Sequence, residues 1–159
     1  MICYANIIVG DRFEPFLKCT IDSITGLVKR IVICKNGDCN DALNDNVRTI
    51  LLSDAYVRGH VELVTTPFVD FSHARNLCLD KSKFADWILR LDADEVIYRE
   101  KFRAILCKCA TSRPDVKVLW WFFYHFLRDL ETVHNESEFD SHYFQRFLFR
   151  NTLRWKQPV

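Results

Sequence analysis

The chain has 159 residues, about one domain's worth, and is 49% hydrophobic, 14% aromatic and 27% charged, which is enough apolar side chain to bury a core and excludes wholesale disorder. Only 4 Gly and 4 Pro exclude a collagen-like or linker-like chain, and a net charge of +1 offers nucleic acid no whole-surface basic field. No apolar run approaches the roughly 18 residues of a membrane span, and Met1-Ile2-Cys3-Tyr4 lacks the basic start and small-residue cleavage site of a secretory leader, so a single soluble, cytoplasmic domain with no transmembrane segment is expected.

The apolar run at 2–9 has strand length and ends at Gly10-Asp11-Arg12. Phe13, Phe16, Leu17, Ile21 and Ile24 fall at helical spacing, with Gly26 as the stop. Residues 29–34 are a β-branched strand, followed by a turn at Asn36-Gly37-Asp38. Val47, Ile50, Leu51 and Ala55 outline a second helix closed by Gly59, and 61–66 is a strand ending at Pro67. Ser72 is the expected cap of a third helix running to about Lys81. Residues 87–91 form a strand that runs into Asp92-Ala93-Asp94-Glu95. Phe102, Ile105, Leu106 and Cys109 mark a fourth helix, 116–126 a long aromatic strand, and 142–149 its hairpin partner. Strands alternating with helices predict an α/β fold with a mostly parallel, right-handed wound sheet and a late antiparallel addition.

Seven Cys is an odd count, so at least one lacks an intramolecular partner. No spacing reads as zinc, and buried apolar cysteines are the expectation. Residues 1–98 hold 11 basic and 14 acidic side chains, and residues 99–159 hold 11 and 7. The basic half can face a polyanionic ligand or simply be a solvated surface.

Ligands of parallel sheets sit beyond the carboxyl ends of the strands. Gly10-Asp11-Arg12, Asn36-Gly37-Asp38 and Asp92-Ala93-Asp94 all fall there by chain position. Asp-x-Asp alone is a weak signal in a chain with 14 Asp. Its position, closing a buried strand, lets two carboxylates share one hard cation, Mg²⁺ or Mn²⁺, which fills its other positions with phosphate and water. The bland alternative is a solvated acidic loop ahead of a helix. A haloacid-dehalogenase-type phosphatase motif also fits Asp92-Ala93-Asp94-Glu95-Val96, but several strands precede it and no later Gly-Asp-x-x-x-Asp pattern supplies the second acidic pair.

Phe71-Ser72-His73-Ala74-Arg75-Asn76, then Ala85-Asp86-Trp87-Ile88-Leu89, then Leu91-Asp92-Ala93-Asp94-Glu95 together resemble family-two glycosyltransferases of the GT-A fold, whose pattern is an Ala-Arg-Asn helix, a Trp-Ile-Leu strand and a Leu-Asp-Ala-Asp-Glu end. Ile31-Val32-Ile33-Cys34, Phe147-Leu148-Phe149-Arg150 and Leu153-Arg154-Trp155 extend the likeness over essentially the whole chain. The resemblance implies a Rossmann-like GT-A domain spanning 1–159 and an inverting, metal-dependent transfer from a nucleotide-diphosphate sugar to a hydroxyl acceptor. It implies Asp94 as the ligand of Mn²⁺ or Mg²⁺ and Asp92 at the nucleotide ribose or in the metal's water shell. Arg75 would face the phosphates, unless it only shapes the pocket by pairing with Asp70 or Asp94. Gly10, Asp11 and Arg12 would lie along the nucleobase, with Asp38 near the residue that reads it. The catalytic base would come from Glu136, Glu138 or Asp140, with Asp140 favoured and Glu138 second, unless that stretch is a polar hairpin loop or the base lies beyond Val159. Trp120-Trp121-Phe122-Phe123-Tyr124 offers an aromatic platform or core, and His73, His125, His134 and His142 are lone histidines, more often structural than ligating.

Two departures stand out. Lys35 occupies the place where the family often has Asp after the second strand. The family also often continues past an Arg-Trp-x-x-x-Val segment into His-Glu, whereas this sequence stops at Arg154-Trp155-Lys156-Gln157-Pro158-Val159; a domain cut there would lack part of its site, and whether it is cut stays open. Acceptor (glycan, protein or lipid-linked) and oligomeric state, a homo-oligomer included, stay open. The rival readings are a catalytically reduced nucleotide-sugar-binding module and a nucleotidyltransferase, the latter disfavoured because Gly10-Asp11-Arg12 carries one Gly.

Overall fold

The structure, a computed structural model, describes residues 1–38, 40–120 and 146–156, with only the backbone at 120, 146 and 147. Its strands are β1 (Cys3–Val9), β2 (Arg30–Asn36), β3 (Val61–Thr66), β4 (Trp87–Asp92), β5 (Val118–Trp120) and β6 (Arg146–Arg150). Its helices are α1 (Leu17–Ile24), α2 (Asp41–Leu51), α3 (Asp54–Val57), α4 (Phe71–Lys81) and α5 (Arg99–Thr111). One sheet runs β3-β2-β1-β4-β6-β5. The first four strands are parallel, β6 is antiparallel to β4, and β5 is antiparallel to β6. The late antiparallel addition is thus present. Residues 121–145, which hold most of its predicted strands, lie outside the described residues.

Strand periodicity builds a core on each face of the sheet. Ala5, Ile7 and Val9 of β1 join Ile31, Ile33, Leu89 and Leu91 against Leu17, Ile21, Leu43, Ile50 and Phe102 of the helices. The alternate positions Tyr4, Ile8, Val32, Cys34 and Ile88 pack on Ala74, Cys78 and Leu79 of α4. Burial on both faces explains why these strands read as continuous apolar runs. Trp87 is 1% exposed and carries the Arg150 guanidinium 4.7 Å from its ring centroid, a cation–π contact from β6 that ties the antiparallel addition to the parallel sheet.

Several boundaries differ from expectation. α1 begins at Leu17 rather than near Phe13, because Pro15 has no N–H and disfavours helix at Glu14. The second helix divides at Ser53, whose hydroxyl donates to Ile50 O at 2.6 Å and accepts from Tyr56 N–H at 3.3 Å, capping α3. β2 runs on to Asn36, so this residue belongs to the sheet and Gly37, at φ +137°, begins the turn. The cap of α4 is Asp70, which accepts the His73 N–H at 2.7 Å, while the Ser72 hydroxyl donates to Lys156 O at 3.1 Å. Cys3, Cys34, Cys78 and Cys109 are buried and Cys19 and Cys107 exposed, all six of them free.

Candidate functional site

The parallel strands end together at Val9, Asn36, Thr66 and Asp92. From β1 the chain winds outward through β2 and β3, then returns to place β4 on the other side, so β1 and β4 flank the topological switch point. A cleft of about 1120 Å³ opens there, lined by loops after all four strands. Gly10, Asp11, Arg12, Asp38, Arg75, Asp92 and Asp94 all line it. Glu136, Glu138 and Asp140, the candidates for the base, lie outside the described residues, as do His125, His134, His142 and the 121–124 aromatics. His73 lies on the exposed side of α4.

Arg75 is 7% exposed. Its Nη1 donates to Asn6 O and Leu91 O, both at 3.1 Å, and its Nη2 pairs with Asp92 Oδ1. Asp92 Oδ2 takes Arg90 Nη2 at 2.5 Å. The expected alternative to a phosphate-facing Arg75 is an ion pair with Asp70 or Asp94; Arg75 does form an ion pair, but with Asp92 at the end of β4, while Asp70 caps α4. A fixed guanidinium fork meets two carbonyls and a carboxylate at once. Burial lowers the proton affinity of Arg75, and the Asp92 carboxylate opposes that shift.

A short turn aims Asp94 outward. The Asp92 N–H donates to Glu95 Oε2 at 2.7 Å, and the Glu95 N–H returns to Asp92 O at 3.2 Å. From α1, the Thr20 hydroxyl donates to Ala93 O at 2.8 Å and Ser23 Oγ accepts the Ile97 N–H at 3.2 Å. These bonds leave Asp94 exposed beside the cleft while Glu95 turns in. Burial, with the Asp92 and Asp94 carboxylates adding to it, raises the Glu95 carboxyl to about 7, against the pull of the Asp92 N–H and Arg90. Glu14, across the cleft, is also raised, first by burial and then by Asp94.

The lining carries five carboxylates (Asp11, Glu14, Asp38, Asp92, Asp94) against three guanidiniums (Arg12, Arg75, Arg90). Two like charges about 6 Å apart cost roughly 3 kcal/mol at an effective dielectric near 20, so a diphosphate entering this net-acidic cleft needs a compensating cation. Among the described residues no three His, Cys, Asp or Glu converge on a metal site. The donor set still fits Mg²⁺ or Mn²⁺, which are held by one or two carboxylates plus substrate phosphate and water. Asp94 is exposed to the cleft, whereas both oxygens of Asp92 are taken up by arginines.

Sequence reasoning gave no site role to Glu14, Arg90, Phe68, Phe71 or Trp155, which also line the cleft, as does Asn36 of the polar cluster expected at this edge. Arg90 had a signal, being a lone charge inside an apolar strand. Asn36 is 2% exposed and its Oδ1 has no hydrogen-bond partner among the described residues, while Lys35, the departure noted above, is not among the lining residues. Phe68 and Phe71 meet edge-on, centroids 6.0 Å apart. Asn76 holds the backbone of Trp155, donating to its carbonyl and accepting its N–H, both at 3.0 Å.

No protein-family model matches the chain, and no curated protein matches it in sequence. Solved structures do match. The mannosyltransferase PcManGT from Pyrobaculum calidifontis, in complex with GDP-Man and Mn²⁺, is 17% identical at TM-score 0.56, over 73% of this chain and 34% of that one. Glucosyl-3-phosphoglycerate synthase from Mycobacterium tuberculosis, in complex with UDP, is 17% identical at TM-score 0.54, over 78% and 44%. A 4-diphosphocytidyl-2C-methyl-D-erythritol synthase from Anaerococcus prevotii is 12% identical at TM-score 0.57, over 94% and 70%. The chain spans about a third to under half of the first two structures. Its fold is the GT-A, Rossmann-like one.

Proposed function

We propose that this chain is a family-two-type glycosyltransferase domain that binds a nucleotide-diphosphate sugar in the cleft and transfers the sugar, with inversion, to a hydroxyl acceptor. The observation that carries the reading is the net-acidic cleft at the switch point, with Asp94 exposed and Arg75 locked between Asp92 and two strand carbonyls. The fold shared with a GDP-mannose–Mn²⁺ complex and a UDP complex supports it.

In this reading Asp94 holds Mn²⁺ or Mg²⁺, and Asp92 reaches the ribose or the metal's water shell while keeping Arg75 in place. The cation supplies charge neutralisation for the departing diphosphate. Arg75 and Arg90 add positive charge at the cleft floor, where negative charge grows as the bond to the sugar breaks. Gly10, Asp11 and Arg12 lie along the base, with Asp38 at its edge and the Asn36 Oδ1 offering it a hydrogen-bond acceptor. Asp140, or Glu138 behind it, takes the acceptor proton.

The test is thermal shift with UDP, GDP, dTDP and CDP, each with and without Mn²⁺, followed by nucleotide release from the sugar form of the best binder. Stabilisation by one nucleotide that needs Mn²⁺, with release lost in Asp94→Ala, is the expected result. No stabilisation by any nucleotide overturns the reading. The share of the glycosyltransferase structures that the chain covers favours one alternative, a nucleotide-sugar-binding module, which would show the stabilisation without release. The erythritol-synthase likeness favours a nucleotidyltransferase, which would consume a nucleoside triphosphate and release pyrophosphate.

A further inference from the structure

We infer that Asn46, from outside the cleft, and Asn40, at its wall, are positioning residues that set the shape of the nucleotide subsite; this rests on the donor reading above. Asn46 is a fully buried polar side chain on α2, a costly placement unless its amide is fully used. Its Oδ1 accepts the Glu14 N–H at 2.9 Å and its Nδ2 donates to Arg12 O at 2.6 Å. One planar carboxamide thus grips the loop after β1 on both sides of Phe13, as a neighbouring strand would. Asn40, the cap of α2, accepts the Leu43 N–H with Oδ1 and donates to Asp11 O at 2.9 Å with Nδ2.

Residues 10, 11, 12 and 14 are the part of that loop that lines the cleft, and three of these four are held by the carboxamides. Pro15 bars the segment from joining α1 and so from finding partners within a helix. Its backbone takes three hydrogen bonds from the two carboxamides. Neither Asn46 bond involves a charge, so the loop is held in one conformation before ligand arrives, which removes an ordering cost from binding.

Asn46→Asp keeps the acceptor for Glu14 and sets an oxygen against the Arg12 carbonyl. Asn40→Ser keeps a good helix cap and removes the tether to Asp11 without adding a charge to the cleft wall, so it tests the idea even if the buried carboxylate of the first variant prevents folding. Ile50→Val, in the core under the same helix, is the control for plain destabilisation. Titration calorimetry compares the nucleoside diphosphate that wild type prefers with inorganic pyrophosphate, both with Mn²⁺. Both variants are expected to weaken the nucleoside diphosphate about tenfold or more, to leave pyrophosphate within twofold, and to differ in this from Ile50→Val at equal loss of melting temperature. Nucleoside diphosphate binding within twofold of wild type in both variants, or a parallel loss of pyrophosphate, overturns the inference alone. A wild-type chain that binds no nucleoside diphosphate overturns the donor reading and the inference with it.

Discussion

The two ends of the cleft are held by different physics. Beside β1 and β2, neutral carboxamides do the work: Asn40 and Asn46 fasten the loop, and the Asn36 Oδ1, without a partner among the described residues, stands at the strand end. Beside β4, charges do it: Arg75, Asp92 and Arg90 form a chain of ion pairs, Asp94 faces the cleft and Glu95 is held up to about 7. At the first end the bonds that fix shape run between carboxamides and backbone groups and involve no charged side chain. The charged end has attraction to offer a diphosphate only once its excess acid is balanced.

The comparison breaks most visibly at Asp94. Asp94→Ala should cut nucleotide release ~100-fold or more and leave the metal-free melting temperature nearly unchanged, because an exposed side chain away from the core contributes within about 0.5 kcal/mol. A release assay and a melt on the same preparation check both halves.

Arg75→Met should show the opposite profile. Removing one partner of a buried ion pair costs about 3 kcal/mol or somewhat less here, since Asp92 retains Arg90. Denaturant melts should move, and nucleotide stabilisation should vanish with them. Arg75→Lys should not restore either, because an ammonium cannot span two carbonyls and a carboxylate.

Glu95 sharpens the contrast through pH. A carboxyl whose folded value lies above its ordinary 4.5, here at about 7, binds its proton more tightly in the folded chain. Its contribution to stability is therefore full below about pH 4.5 and is lost as the pH rises through about 7. In the metal-free chain Glu95→Gln, which keeps an acceptor for the Asp92 N–H, should stabilise by about 1–2 kcal/mol at pH 8 and do nothing at pH 4. Equal melting curves at pH 8 would refute this.

The smallest effect belongs to the carboxamide end. Asn36→Leu removes a buried oxygen that lacks a partner, so the metal-free chain should gain about 1 kcal/mol. Nucleotide affinity should fall about tenfold, with the pyrophosphate affinity unmoved. A change in both affinities would move Asn36 away from the base.

Much of the fold was legible because its signals are local. The β-branched run at 29–34 and the run at 61–66 needed no distant information, and the polar residues that close β1, β2 and β4 follow from where each strand stops. The cap of α4 was misread because Asp70 and Ser72 are both good caps two residues apart. The choice fell to Asp70 once Ser72 was drawn toward the backbone at Lys156, 84 residues away. Asn46 was invisible for a similar reason. Among Asn44, Asp45 and Asn46 nothing in the sequence says which one turns inward.

The residue order by itself determined the wound parallel sheet, its antiparallel extension and the edge at which polar groups gather, since each depends on periodicity over a few residues and on the handedness of an L-chain. Only the tertiary structure decided that Arg75 pairs with Asp92, that Glu95 turns in while Asp94 turns out, and that α2 grips the loop after β1. Those outcomes depend on which backbone groups lie within about 3 Å after folding, a condition set by packing across distant segments.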